Sequence, residues 1–418
     1  MAELSADVAV VGGGPAGVAA ACAAAVAGRN VLLLDEAPKP GGQIWRHRSG
    51  PPKPARDWLA RLTASGARVV SQASVFDAPD PRTLCAEHEG GLLRVSCEKL
   101  ILATGARERF LPFPGWTLPN VLGVGGAQAL FKAGADFSGR RVVVAGSGPL
   151  LLPVAASLAG AGARVALVAE QAPLSRLFPF VARLAGSPGK LAEALGYRLG
   201  FLRSPYRTGV WVRSAAGQER VEEVELTDGD RTWREACDVL CCAYGLVPNL
   251  ELAALLGCAV RSGAVVEGES QETSVAGVYS AGELGGIGGV DLALATGTIA
   301  GLAAAGRAAP PPLVRQRERG RRLAQRLAAT FSLRPELRTL PSGETIVCRC
   351  EDVPFGALDP AWSPRQAKLA TRLGMGPCQG RVCGAACEFL FGWPADTVRP
   401  PVKPTAIANL IATSEAHR

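Results

Sequence analysis

Histidine is nearly absent: only His47, His88 and His417 occur in 418 residues. So sparse a supply argues against a His-rich metal site or a His-centred proton relay. Aromatic residues make up 6% of the chain. The one strongly basic segment contains a single aromatic, Phe331, so nucleic-acid binding, which draws on basic surface interleaved with stacking side chains, is not expected. No targeting segment is visible, because the apolar run Val8–Val11 breaks at Gly12. The longest apolar stretch, Val290–Gly306, falls short of the ~20 residues that cross a bilayer and reads as a buried helix. A redox pair of the Cys-x-x-Cys type is also missing. Cys22, Cys85, Cys97 and Cys258 stand alone and Cys241 and Cys242 are adjacent on one strand, so dithiol exchange is not supported.

What is present is ordinary for a globular protein, with 48% apolar and 20% charged residues in a length that suits two or three domains. Fifty glycines and 31 prolines require many tight turns. The formal charge is +8, yet the nine arginines and two glutamates between Gly306 and Arg338 supply almost all of it. That stretch follows Pro310-Pro311-Pro312, and Leu323, Leu327 and Phe331 recur every four residues. It reads as a helix with one packed stripe, its arginines facing water or a protein partner. Twelve cysteines without a signal peptide read as reduced thiols or metal ligands in the cytoplasm.

The opening DVAVVGGGPAGVAAACAAAVAGRNVLLLDE spells a βαβ unit. Gly12 permits the tight turn, Gly14 lets backbone approach a pyrophosphate, and Gly17 lets helix and strand pack closely. The helix start offers free N–H groups and a positive dipole end to phosphate. Asp35 and Glu36 close the second strand, where a carboxylate accepts ribose hydroxyls. A second unit, RRVVVAGSGPLLLPVAASLAGAGARVALVAE, repeats the pattern with Gly146, Gly148 and a closing Glu170. Leu151 stands where its third glycine belongs, so this unit binds a nucleotide, a different nucleotide, or none. Three more stretches fit a flavoprotein. ILATGARER turns at Ala103-Thr104-Gly105, LCCAYGLVPN is its counterpart, and TSVAGVYSAGELGG ends a strand at Gly282-Glu283 before the long apolar helix. That strand end brings backbone N–H groups and an acid toward the ribityl phosphate of FAD.

Five cysteines crowd the C-terminal region as CRCEDV and GMGPCQGRVCGAAC, with 27 residues between Cys350 and Cys378. Cys348, Cys350, Cys378 and Cys383 supply four thiolates, and Gly374, Gly376, Gly380 and Gly384 let N–H groups approach the sulfurs of a 2Fe–2S cluster. A structural zinc is the alternative, although zinc ribbons favour cysteines separated by two residues. Cys387, one helical turn beyond Cys383, reads as a core residue that could replace a ligand.

The motifs VGGGPAG, PGGQIWR, LILATGARERFLPFPGWTLPNV, GSGPLLLPVA, GELGGIGGVDLALATGTIAGLAAAG, CRCEDV and GMGPCQGRVCG resemble the alpha-type subunits of heteromeric amine and imino-acid dehydrogenases. That group includes the A subunit of opine oxidase, the D-hydroxyproline and proline dehydrogenase alpha subunits, the B subunit of hydrogen cyanide synthase and part of the sarcosine oxidase alpha subunit. The resemblance covers essentially the whole chain. It implies an α/β fold with two glutathione-reductase-like, Rossmann-type dinucleotide-binding domains and a small C-terminal 2Fe–2S domain of the bacterioferritin-associated-ferredoxin type. The expected boundaries are 1–112 with 265–306 for a FAD domain, 113–264 for the second nucleotide domain, 307–343 for an arginine-rich linker, and 344–418 for the cluster domain and tail.

Carried over by motif, the resemblance implies FAD on Gly12, Gly14, Pro15, Ala16, Gly17, Asp35, Glu36, Gly42, Gln43, Val75, Thr104, Gly105, Gly282 and Glu283. Glu283 departs from the aspartate many flavoproteins carry there, which keeps the charge and lengthens the reach. NAD or ATP is implied at the second site, and FMN at a subunit interface in some members. The implied partners are a FAD-containing beta subunit of the glycine-oxidase type, which oxidises the amine, and a small ferredoxin-like gamma subunit. Peripheral membrane association would then come through those partners. No acid–base constellation for amine oxidation is identifiable in this chain itself. The expected role is therefore electron transfer; an NAD(P)H-dependent FAD reductase feeding its own cluster, or a zinc-stabilised nucleotide scaffold, are the alternatives.

Overall fold

The computed structural model describes residues 2–46, 50–184, 188–394 and 398–415, so His47 and His417 lie outside the described residues. The chain divides into two compact units, one of Met1–Arg107, Val247–Gln325 and Thr397–Arg418, the other of Glu108–Leu246 and Arg326–Asp396.

The first unit is built on β1 (Ala2–Val11), α1 (Pro15–Val26), β2 (Val31–Asp35), α2 (Lys53–Ala64), β3 (Arg68–Ser71), β4 (Ser74–Asp80), β5 (Thr83–His88) and β6 (Gly91–Leu102). Its sheet has the order β3-β2-β1-β6-β5-β4, and the strand Val278–Ser280 also pairs with β6. β1, β2, β3, β6 and Val278–Ser280 run parallel, whereas β4 and β5 are antiparallel additions. Both faces of the parallel part are covered, which is why its strands are continuously apolar instead of alternating. Val8, Val10, Leu33 and Ile101 pack on one face, and Ala9, Val11, Leu34 and Leu102 on the other.

Alanine dominates α1 for a geometric reason. Eight of its twelve residues are buried, because it lies between the sheet and the helix Val290–Ala304. A Cβ on Gly297 would sit 2.1 Å from the Ala16 carbonyl oxygen, and one on Gly301 2.2 Å from that of Ala20. The two helices therefore touch backbone to backbone.

The arginine-rich segment forms the helix Pro311–Thr330 as expected, but its inward residue is an arginine instead of an apolar one. Arg317 is buried, donating from Nη1 to the Glu269 carbonyl and from Nε to Glu318. Arg321 pairs with Glu267, whose side chain is 8% exposed. Part of this charge thus anchors the helix to its own unit instead of facing water.

The tail straps onto the same unit. Val402 donates its N–H to the Phe76 carbonyl, and Glu87 accepts from Thr405 Oγ1, the Ala406 N–H and Asn409 Nδ2. The last helix, Ile407–Glu415, follows that anchor.

The second unit carries a five-stranded parallel sheet, in the order Tyr206–Thr208, Arg164–Glu170, Arg141–Gly146, Val239–Ala243, Val121–Gly123. An antiparallel sheet of Trp211–Ala216, Glu223–Thr227 and Thr232–Ala236 accompanies it. The cysteine-rich segment has its own small core, in which Val347, Cys348, Leu373, Cys387 and Trp393 are buried. Its helix Pro364–Thr371 starts at a reciprocal cap between Ser363 and Gln366. No helix among the described residues is long and apolar enough to cross a membrane.

Candidate functional site

At the first glycine turn the backbone passes so close to its neighbours that side chains are excluded. Gly12 has φ +105°, and a Cβ there would lie 2.2 Å from the Ala103 carbonyl oxygen. A Cβ on Gly17 would fall 1.8 Å from the Gly12 oxygen. Around Gly14 the reverse holds, with nothing within 4 Å of a Cβ. Gly14 begins α1 without a side-chain cap, Pro15 occupies the first turn, and no acidic residue is there. The helix start therefore presents free N–H groups on an open side.

Asp35 and Glu36, adjacent in sequence, separate in space. Asp35 is 7% exposed, receives the Ala37 N–H at Oδ1, and keeps Oδ2 buried without a hydrogen-bond partner among the described residues. Burial pushes its carboxyl above the ordinary value, against the backbone N–H groups of Ala37 and Gly13. Glu36 turns outward and pairs with Lys403 of the tail. The loop after β2 folds over the turn: Gly41 donates to the Gly13 carbonyl, and a Cβ on Gly42 would lie 3.1 Å from Gly14 Cα. Gln43 beside it is exposed. Val75, by contrast, is buried in the core below β4.

Thr104 and Gly105 are tied to Asn249, a residue whose role the sequence alone does not reveal. Thr104 Oγ1 donates to the Asn249 carbonyl and Asn249 Nδ2 to the Thr104 carbonyl, both at 2.8 Å, while the Asn249 N–H reaches the Gly105 oxygen. Arg107 adds bonds to Asn249 Oδ1 and Glu251. The only signal in sequence is the VPN ending of the second apolar turn.

Gly282, at φ +74°, donates its N–H to Thr296 Oγ1, and a Cβ there would come 2.8 Å from that of Ala16. Gly282 and Ala16 thus bring the first and last of the expected cofactor motifs together. Glu283 accepts the N–H groups of Gly288 and Gly289, both at 3.0 Å, and burial raises its carboxyl above the usual range. Its longer side chain is used to hold the loop before the helix Val290–Ala304.

In the second unit Gly146 has φ +137°, and a Cβ would lie 1.9 Å from the Ala243 oxygen. Gly148 is also left-handed, at φ +107°. Leu151 is fully buried and begins the helix Leu151–Gly160. Glu170, with no exposed surface, accepts the N–H groups of Gly148 and Ala172 at 2.9 and 2.8 Å. Burial pushes it up to about 7.

The C-terminal cysteines come together as two thiol pairs. Cys350 lies beside Cys378, and Cys383 beside Cys348. Burial raises the Cys383 thiol, and the neighbouring Cys348, Cys387 and Cys378 raise it further. Burial also opposes ionisation of Cys378, but hydrogen bonds from the Val382 N–H, the Cys350 thiol and the Gly380 and Arg381 N–H groups carry it below the ordinary thiol value. Cys387 is buried in the small core, its thiol pushed up to about 12. Among the described residues no three His, Cys, Asp or Glu side chains close around a single metal position.

Comparison with known proteins agrees with this geometry. Residues 6–300 match the family model described as pyridine nucleotide-disulphide oxidoreductase. The chain is 34% identical to the A subunit of opine oxidase from Rhizobium meliloti (strain 1021), over 97% of this chain and 98% of that protein. It is 32% identical to hydrogen cyanide synthase subunit HcnB of Pseudomonas aeruginosa, over 91% of each. Among solved structures, L-proline dehydrogenase from P. horikoshii superposes with a TM-score of 0.71 at 21% identity, covering 98% of this chain and 80% of that one. The resemblance to the amine and imino-acid dehydrogenase subunits is borne out by these relatives. The chain is an oxidoreductase and belongs to the pyridine nucleotide-disulphide oxidoreductase family.

Proposed function

We propose that the chain is the flavin- and iron–sulfur-bearing electron-transfer subunit of a heteromeric amine or imino-acid dehydrogenase. The observation that carries this reading is the proximity of four thiols, Cys350 beside Cys378 and Cys348 beside Cys383, with the Val382 and Gly380 N–H groups near the Cys378 sulfur, although among the described residues no three of them close around one position. N–H···S bonds stabilise thiolate and tune a cluster's potential, so the donor chemistry suits a 2Fe–2S centre. For FAD, the matching features are the buried, unpartnered Asp35 Oδ2, the open side of Gly14 and the uncapped start of α1. Bound flavin supplies two-electron chemistry, and a bound cluster passes electrons singly.

The chain's own residues do the holding. Asp35 would accept ribose hydroxyls and the start of α1 would face the pyrophosphate. Gly42, Thr104 and Gly105 would lie beside the bound group, and the Glu283-braced loop sets the helix Val290–Ala304. In this reading residues 1–112 with 265–306 hold FAD, 113–264 form the second nucleotide domain, and 344–418 comprise the cluster domain and the tail that straps onto the first unit. All twelve cysteines are free, which suits a reducing compartment such as the cytoplasm. The relatives named as subunits support an assembly with partner chains; within it we place, on the family resemblance, a FAD-containing catalytic partner, FMN at an interface and a small third subunit.

The test is anaerobic purification with and without the co-expressed partner, followed by iron, acid-labile sulfide and flavin analysis. Dye-linked assays would use opines, proline, D-hydroxyproline and sarcosine. About two irons with sulfide per chain and amine turnover only in the complex are expected. Stoichiometric zinc without sulfide, or full turnover by the isolated chain, refutes the reading.

A further inference from the structure

The two glycine turns carry corresponding residues, yet each meets a different environment in its own unit. In the first, the middle residue is Gly13, without a side chain, and the acid Asp35 keeps one buried oxygen unpartnered among the described residues. In the second, the middle residue is Ser147 and the acid is Glu170, both of whose oxygens accept backbone N–H groups.

The segment following the arginine-rich helix is seated across this second turn. Ser147 Oγ donates to the Phe331 carbonyl at 2.8 Å. Gln171, next to the acid and 1% exposed, donates from Nε2 to Ser147 Oγ and the Ser332 carbonyl, and its Oε1 receives the Arg334 N–H. The Arg334 guanidinium lies 3.5 Å from the centre of the Trp211 ring and reaches the Gly209 carbonyl. Arg176 Nη1 bonds Ser332 Oγ at 2.9 Å, and the Phe331 ring packs edge-on to Phe180 at 5.5 Å.

In a dinucleotide-binding βαβ unit the acid closing the second strand takes the adenosine ribose, and the turn takes the pyrophosphate. Here the acid is saturated, and the residues flanking it are covered by the chain itself. We infer that Gln171, Ser332 and Arg334 determine donor specificity by closing the ribose corner of the second turn, so that NADH and NADPH are not donors to this chain. A dinucleotide entering would have to displace the hydrogen bonds around Gln171 and the Arg334–Trp211 stack, and then find Glu170 already engaged. The inference does not depend on the iron–sulfur reading, since it concerns a different site.

The experiment is titration of the flavin-loaded full chain with NADH, NADPH and ADP-ribose by calorimetry, with anaerobic stopped-flow mixing to follow flavin absorbance. The wild type is expected to show no saturable binding below about 1 mM and no rapid bleaching. The Gln171→Ala/Arg334→Ala variant, which frees the segment, is expected to bind ADP-ribose at least about tenfold more tightly than the wild type. Ser147→Gly, a milder change that gives this turn the residue of the first, serves if the double variant does not fold, with a smaller gain expected. Micromolar binding of any of the three nucleotides to the wild type overturns the inference. So does a variant with unchanged melting temperature and flavin content that gains no affinity.

Discussion

The contact between α1 and the helix Val290–Ala304 makes a prediction in which one substitution has opposite signs at two places. Gly301→Ala puts a methyl 2.2 Å from the Ala20 carbonyl oxygen, a backbone atom with no flexible end to move. Glycine to alanine inside a helix ordinarily gains roughly 1 kcal/mol. Overpacking of a tight core opposes it with ~1–3 kcal/mol, and a collision this deep belongs at or above the upper end. The helices would also have to part, loosening Ala16, Ala20, Ala300 and Ala304, all buried in the same core. We expect a net destabilisation of about 2 kcal/mol, or a melting temperature lowered by ~4–8 °C for a unit of this size. Gly196, in the exposed helix Pro188–Leu199, is the control, since its Cβ would meet nothing within 4 Å. Gly196→Ala should raise the second unit's transition slightly, through helix propensity alone. The assay is calorimetry or chemical denaturation, with each variant compared at the transition of its own unit. A Gly301→Ala protein as stable as the wild type would refute the backbone-to-backbone packing, whatever Gly196→Ala does.

Two further outcomes depend on pH. Glu170 is raised by burial to about 7 from 4.5. Its unfolded form releases the proton first, so stability is greatest below about 4.5, falls as pH rises toward about 7, and levels off above, by on the order of 3 kcal/mol. Glu170→Gln should flatten that slope in the second unit's denaturation, and equal slopes in both proteins would contradict it. Glu87 has the opposite sign: Thr405 and the Ala406 N–H, with Asn409, hold its carboxyl below the usual range against a small burial effect. The tail anchor is therefore present above the ordinary carboxylate value and lost as pH falls through the depressed one. Glu87→Ala should lower the amide-exchange protection of Ala406 and Asn409 at neutral pH, whereas the wild type loses that protection only in acid. Unchanged protection in the variant would mean the tail is held elsewhere.

Local patterns carried much of the architecture. Gly12, Gly14 and Gly17 fall between an apolar strand and an alanine-rich helix, and a peptide turn that tight has few solutions. The first βαβ unit was therefore legible before any tertiary contact was known, as were the buried helix at Val290 and the repeated unit beginning at Arg140. The crowding of cysteines after Thr345 was equally plain, because composition changes there over a few residues.

Other features depended on which side chain met which neighbour across long separations. Asp35 and Glu36 look equivalent in a string of letters, but Lys403, far along the chain, draws one outward while burial keeps the other beside the turn. The arginines of the Pro311–Thr330 helix look alike too, until Glu267 and the Glu269 carbonyl turn Arg317 and Arg321 inward. Ser147 and Gln171 gave no sign that the segment at Phe331–Arg334 would cover them. Sequence determined the turns, the strands and the supply of thiols, since those follow from backbone sterics and from periodicity over a few residues. Tertiary structure decided which acids stay available, which arginines are buried and which glycine turn is open. Those outcomes depend on desolvation and hydrogen-bond partners contributed by residues far away along the chain.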